Sequence, residues 1–343
     1  MSQRIAFVFP GQGSQTVGMG SDVFQASSAA RKVFATADGA LGFSLSSLCF
    51  EGPEASLRET VNTQPAIVAT SLALLAALQE AAGASVSADG ESALSSPIRP
   101  VFVAGHSVGE YTAVAAAGAL GVVDALRLVR ERGRLMHEEG LRCPSGMAAV
   151  LGMDSETLTI ICAEATKQTR AALSTADLAA HPGAGQVVVA NDNAPGQIVI
   201  SGATSALDSA MEMARAHGAK RVVPLAVSGA FHSPVMAPAA EALASAVASA
   251  PVRFASVPII ANITAEPMRD EAQVRTELAQ QIVSPVQWTR TVEYLSSHGV
   301  ETFVEVGPGQ VLGGLIKRIA KGATILSVSA AADVAPVAGR LVG

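Results

Sequence analysis

Val101-Phe102-Val103-Ala104-Gly105-His106-Ser107-Val108-Gly109-Glu110-Tyr111 runs from an apolar segment, through a serine bracketed by glycines, into a helical pattern. Strand, G-x-S-x-G and helix in that order form the context of a nucleophile elbow, a sharp turn that exposes the serine at its apex. The reversal crowds its neighbours, which explains the glycines, and it holds the serine in a strained conformation at a helix N-terminus, where developing negative charge is favoured. A tight strand-to-helix turn without chemistry has the same outline; the flanking elements favour the catalytic reading.

Working outward, short β-branched runs recur at residues 5–9, 101–104, 222–227, 258–261 and 302–306 with helical segments between them. That rhythm predicts an α/β fold, a parallel sheet with helices on both faces. Between the two halves it changes to strand (147–151), helix (155–166), strand (187–190), strand (198–201), helix (205–217) and strand (221–224). This βαββαβ order predicts a ferredoxin-like α+β insertion at 141–222 in a large α/β catalytic domain formed by 1–140 and 223–343, with a cleft at the junction. Residues 83–100, rich in Ser, Gly and Ala, and 167–185, which contains His181-Pro182-Gly183, read as surface loops, and 66–78 as a core helix too short to span a bilayer. No repeat of solenoid period is visible.

The 343 residues are 49% hydrophobic and 15% charged with a formal net charge of -6. A chain of this make-up buries a sizeable core, and its acidity disfavours nucleic acid and anionic membranes as partners. The apolar start at 5–9 is too short for a signal-peptide core, so the expectation is a cytoplasmic protein. Cys49, Cys143 and Cys162 lack paired spacing, which points to inert buried thiols with no disulfide framework and no metal site.

A serine hydroxyl needs a base, and histidine has the suitable pKa. Of six histidines, His217 and His298 each precede a glycine at a helix end and read as C-terminal caps, His137 lies in a charged helix and His181 in a loop-like segment. The side chain of His106 should leave the elbow in another direction and play a supporting part. His232 follows the run ending near Val227 and precedes Ser233-Pro234, a cap with proline at the first helical position, which places it at the carboxyl end of a strand, where parallel sheets bind ligands. A general base and a structural loop histidine both fit there.

Arg132 shares the apolar face of its helix with Leu128, Val129, Leu135 and Met136, whereas Arg127 and Arg134 are spaced to pair on the surface with Glu131 and Glu138. An inward guanidinium needs an anionic partner, either a buried acid or a substrate carboxylate. The run Phe9-Pro10-Gly11-Gln12-Gly13-Ser14-Gln15 lacks the third glycine of a dinucleotide fingerprint, since Thr16 stands there. It is either a plain glycine-rich turn or a loop that aims an N–H at an oxyanion beside the N–H of Val108.

Together, Phe7-Val8-Phe9-Pro10-Gly11-Gln12-Gly13-Ser14-Gln15, Gly105-His106-Ser107-Val108-Gly109-Glu110-Tyr111, Ala230-Phe231-His232-Ser233 and Val306-Gly307-Pro308-Gly309 closely resemble malonyl-CoA:acyl carrier protein transacylases of type II fatty-acid synthesis, and also discrete polyketide acyltransferases. The resemblance spans nearly the whole chain. It implies an α/β-hydrolase-like core with a ferredoxin-like insertion, Ser107 as nucleophile, His232 as general base, the backbone N–H groups of Gln12 and Val108 as oxyanion hole, and Arg132 as carboxylate clamp. Through the matching segment Gln280-Gln281-Ile282-Val283-Ser284-Pro285-Val286-Gln287-Trp288 it implies that the backbone carbonyl of Gln281 orients the histidine, and through Asn193-Ala194-Pro195-Gly196-Gln197 that Asn193 lines the cleft. Segments 83–100 and 167–185 look longer than the family usually has.

The implied reaction is ping-pong transfer of malonyl from malonyl-CoA to the phosphopantetheine thiol of acyl carrier protein by a monomer without cofactor or metal. Lys317, Arg318 and Lys321 offer a basic patch for an acidic carrier protein, or are ordinary solvated helix charges. Phe231 before His232 resembles the malonyl-selective pattern. The rival readings are a trans-acting polyketide malonyltransferase, a serine thioesterase using water as acceptor, and a non-catalytic acyl-binding or scaffold subunit.

Overall fold

The computed structural model describes residues 4–84 and 98–342, so most of the loop expected at 83–100 lies outside the described residues. Ten strands are described: β1 (Ile5–Phe9), β2 (Phe102–Gly105), β3 (Ser145–Leu151), β4 (Val187–Ala194), β5 (Gln197–Ala203), β6 (Arg221–Pro224), β7 (Ile259–Ile260), β8 (Pro267–Met268), β9 (Thr302–Val306) and β10 (Thr324–Val328). They form two sheets.

Ile5, Phe7 and Phe9 belong to the core on one face of β1, while Ala6 and Val8 belong to the core on the other. A strand apolar on both faces requires cover on both, which is why the larger sheet, ordered β10-β9-β1-β2-β7-β8, is sandwiched. Its pairings are parallel except for the β7–β8 hairpin. The helices Thr60–Ala81, Val122–Arg142 and Ala237–Ser249 cover the first face, and Trp288–Ser297 and Val311–Ile319 cover the second. Thr60–Ala81 is long and apolar enough to cross a membrane, yet most of it is buried in the protein core.

The smaller sheet, ordered β4-β5-β3-β6, is antiparallel throughout. The helices Ser155–Ala172 and Thr204–Ala216 pack on it through Leu158, Ile161, Ala165, Ala206, Leu207 and Ala210, giving the ferredoxin-like arrangement expected from the βαββαβ order.

Three expectations need correction. The run 222–227 does not enter the parallel sheet: β6 stops at Pro224 and pairs with β3 at the edge of the smaller sheet, where a proline is tolerated. Segment 167–185 is not a continuous loop, because one helix runs to Ala172 and a second spans Thr175–Ala180, started by reciprocal capping between Ser174 and Asp177. The turn signal His181-Pro182-Gly183, which made the whole stretch read as a loop, follows that second helix directly, and alanine within it is the best helix former. Finally, the parallel sheet gains an edge strand, β10, and β7 gains a hairpin partner, β8, neither of which was expected from the sequence.

Candidate active site

β2 delivers the chain to Gly105, and the helix Gly109–Ala116 begins four residues later. Within that turn Ser107 has φ 50°, the left-handed conformation that costs any residue but glycine free energy. The bracketing glycines are obligatory. A Cβ on Gly105 would lie 2.0 Å from the carbonyl of Gly109, and one on Gly109 would lie 2.2 Å from the carbonyl oxygen of Phe9. Asn262, just beyond β7, clamps the turn: its Oδ1 accepts from the Ser107 N–H at 2.7 Å and its Nδ2 donates to the Gly105 carbonyl at 2.7 Å.

His232 meets the serine, with the Ser107 hydroxyl 2.7 Å from His232 Nε2. Nδ1 lies 2.9 Å from the Gln281 carbonyl and 3.0 Å from the Ser284 carbonyl, so Nδ1 carries the proton and Nε2 presents its lone pair to the hydroxyl. Backbone carbonyls thus stand where a triad carboxylate would. The imidazole is buried, and desolvation, followed by the nearby Arg132 charge, lowers its pKa to about 3, which keeps it neutral and able to accept a proton. The position differs from the sequence argument for it: His232 sits in a turn with φ 58°, well after β6, and not at the end of a parallel strand.

Arg132 points inward, as its helical spacing predicts, and is 1% exposed. Nη1 donates to Gln64 Oε1 at 2.7 Å; Nη2 donates to Gln281 Oε1 at 2.8 Å and to Ser107 Oγ at 3.2 Å. The guanidinium also lies 5.5 Å from the Tyr111 ring centroid. None of the ion pairs among the described residues involves Arg132, so its buried charge is held by the amide oxygens of Gln64 and Gln281 and the hydroxyl of Ser107. Burial lowers its pKa. On the same helix, Arg134 bonds both Glu131 and Glu138, which leaves Arg127 to donate to the Ala40 carbonyl instead of pairing with Glu131.

The loop carrying Gln12 lies against the elbow, since the His106 N–H donates to the Phe9 carbonyl at 3.0 Å. Ser14 Oγ donates to the Gly11 carbonyl and the Gly13 N–H to Gln15 Oε1, whereas the backbone N–H groups of Gln12 and Val108 donate to nothing among the described residues. Asn193, at the end of β4, accepts at 2.7 Å from His106 Nε2, so His106 is tied to β4 while His232 is tied to Ser107. His217 and His298 cap helices, and His181 donates to Glu139. Arg318 donates to Gln197 Oε1 and to the Pro195 carbonyl, tying its helix to the β4–β5 hairpin.

Sequence reasoning missed Gln64, Asn262, the side chain of Gln281, and the carboxyl pair Glu110 and Glu277. A signal existed for two of them: Gln64 is a polar residue leading into the apolar run of a buried helix, and Asn262 directly follows an apolar strand at the ligand-binding end of the sheet.

The chain matches the acyl transferase domain family over residues 6–341. It is 41% identical over 326 residues to the malonyl CoA-acyl carrier protein transacylase of Bacillus subtilis, covering 95% of this chain and 93% of that one. To the protein of the same name from Escherichia coli it is 39% identical over 317 residues, covering 92% and 93%. Among solved structures, the malonyl CoA-acyl carrier protein transacylase of Coxiella burnetii superposes with TM-score 0.88 at 33% identity, covering 100% of this chain and 99% of that one. A malonyl-transacylase in complex with its type II PKS acyl-carrier protein superposes with TM-score 0.86 at 34% identity, covering 98% and 100%. With matches of this extent running through both sheets, the chain belongs to the malonyl CoA-acyl carrier protein transacylase family of acyl transferases.

Proposed function

We propose that this protein transfers the malonyl group of malonyl-CoA to the phosphopantetheine thiol of acyl carrier protein through a malonyl ester of Ser107. One observation carries the reading: a buried guanidinium with no acidic partner in any described ion pair lies 3.2 Å from a hydroxyl that is itself 2.7 Å from a neutral imidazole. A malonyl carboxylate seated on Arg132 provides the missing anion and brings the thioester to Ser107.

In the first half-reaction His232 Nε2 takes the hydroxyl proton as Ser107 Oγ attacks the thioester carbonyl. The oxyanion is received by the N–H groups of Gln12 and Val108, and coenzyme A leaves with the proton from His232 as its thiol. In the second, His232 deprotonates the carrier thiol, which attacks the ester carbonyl, and His232 returns that proton to Ser107 Oγ as it leaves as a free hydroxyl. The carbonyls of Gln281 and Ser284 hold the imidazole in the required tautomer, and Asn193 steadies the cleft through His106. No step draws on a metal or redox cofactor. We further infer a cytoplasmic monomer in which residues 141–222 act as an inserted unit framing the cleft, a reading that rests on composition and on the separate second sheet.

The test is the fate of the loaded serine and the choice of acyl group. Malonyl on the enzyme should discharge to acyl carrier protein much faster than to water, and Arg132→Ala should lower the malonyl-to-acetyl preference by about 100-fold, in line with losing a buried charge pair. Release of free malonate at the same rate with or without carrier protein would point to a hydrolase. Unchanged acyl preference in Arg132→Ala would remove the guanidinium from the assignment.

A further inference from the structure

Behind the Arg132 site lie two carboxyl side chains that the reaction above does not use. Glu110, the second residue of the helix after the elbow, is fully buried, and Glu277, near the end of the helix Glu271–Gln280, is 5% exposed. Neither forms an ion pair among the described residues. Glu110 Oε1 accepts from the Asn262 N–H at 2.9 Å, and Glu277 Oε1 accepts from the Ile263 N–H at 3.0 Å. The two carboxyls therefore hang on successive amides of one short segment, and the same Asn262 clamps the elbow.

Gln281 connects this pair to the active site. Its Nε2 donates to Glu110 Oε2 and, at 3.0 Å, to the Ser107 carbonyl; its Oε1 accepts from Arg132 Nη2 at 2.8 Å; and its own carbonyl accepts from His232 Nδ1. A single amide thus bridges a guanidinium and a buried carboxyl group. We propose that Glu110 and Glu277 are a positioning pair that anchors Gln281, and through it aligns Arg132 for the malonyl carboxylate, while both carboxyls keep their protons.

Two adjacent carboxylates cannot both ionise cheaply in an apolar site. Desolvation first, and then the charge of Glu277, hold Glu110 well above the ordinary carboxylate range, and desolvation lifts Glu277 to about 7. The other titratable groups facing the pair are Tyr111 on the helix of Glu110, Arg132 on Val122–Arg142, and His232 beyond Gln281; the Asn262–Ile263 segment contributes only amides. As pH rises through neutrality Glu277 loses its proton first, while Glu110, held higher, keeps its own. The single negative charge that appears behind Arg132 competes for the guanidinium and weakens binding of a malonyl carboxylate while leaving an acetyl group indifferent.

This inference rests on the assignment of Arg132 above, and the experiment separates the two. KM for malonyl-CoA and for acetyl-CoA is measured from about pH 6 to about pH 8.5 on the unmodified enzyme and on Glu277→Gln, with loading of Ser107 followed by intact mass. The expected result is a ratio of malonyl KM to acetyl KM that rises about fivefold with pH in the parent and stays nearly flat in the variant, which has no ionisable group at position 277. The two-substrate comparison on the parent stands even if the variant folds poorly. A flat parent ratio with normal malonyl loading overturns the pair's role alone, as does a variant that reproduces the parent's slope. A parent that never acquires malonyl overturns the underlying assignment and this inference with it.

Discussion

The two turns that meet in the active site hold their residues in the same uncommon conformation by different means. Ser107 at φ 50° is built from its own neighbourhood: a strand behind, a helix ahead, and glycines on either side that the packing demands. His232 at φ 58° has no such frame, since its support arrives from some fifty residues away, with its N–H donating to the Ile282 carbonyl at 2.9 Å and its Nδ1 flanked by the carbonyls of Gln281 and Ser284. Strain at Ser107 is a local property of the chain, whereas strain at His232 is a tertiary one.

The largest effect expected from breaking the comparison is on the base. His232→Ala should reduce the rate of Ser107 acylation by about 10³- to 10⁴-fold, as loss of a general base does, with binding of malonyl-CoA largely kept; stopped-flow release of coenzyme A measures it. Next comes the elbow. Gly109→Ala places a Cβ 2.2 Å from the backbone oxygen of Phe9, which no side-chain rotation relieves, so denaturant titration should show a loss of about 3 kcal/mol or more.

The smallest effect concerns pH. The folded-state pKa of His232 is lowered from 6.5 to about 3, so between those values the unfolded chain binds the proton and the folded one does not. This contribution therefore lowers stability as pH falls through that window and is absent above it. Replacing His232 with Gln should flatten the acid side of the curve of Tm against pH; an unchanged slope would mean that the imidazole is protonated in the folded protein.

How much was legible follows the same division. The elbow, the inward face of Arg132 and the βαββαβ order depend on periodicity and on residues near in sequence, and they could be read directly. His232 was located by a strand that turned out to belong to the other sheet, because a β-branched run does not state which partner it will find. Gln64, Asn262 and the side chain of Gln281 escaped notice since each works on a partner at least 68 residues away, and an uncharged amide shows nothing in sequence of the charge it serves. The helix Thr175–Ala180 was hidden by the turn signal His181-Pro182-Gly183, which ends it but was read as marking the whole stretch.

The central claim is that Ser107 carries the malonyl group in transit, and intact-protein mass after brief mixing with malonyl-CoA tests it most directly. The account predicts one malonyl adduct on the parent protein, mapped to the peptide containing Ser107, absent from Ser107→Ala and removed on adding acyl carrier protein. An adduct that persists in Ser107→Ala, or a parent that turns over malonyl-CoA without ever gaining mass, would contradict it.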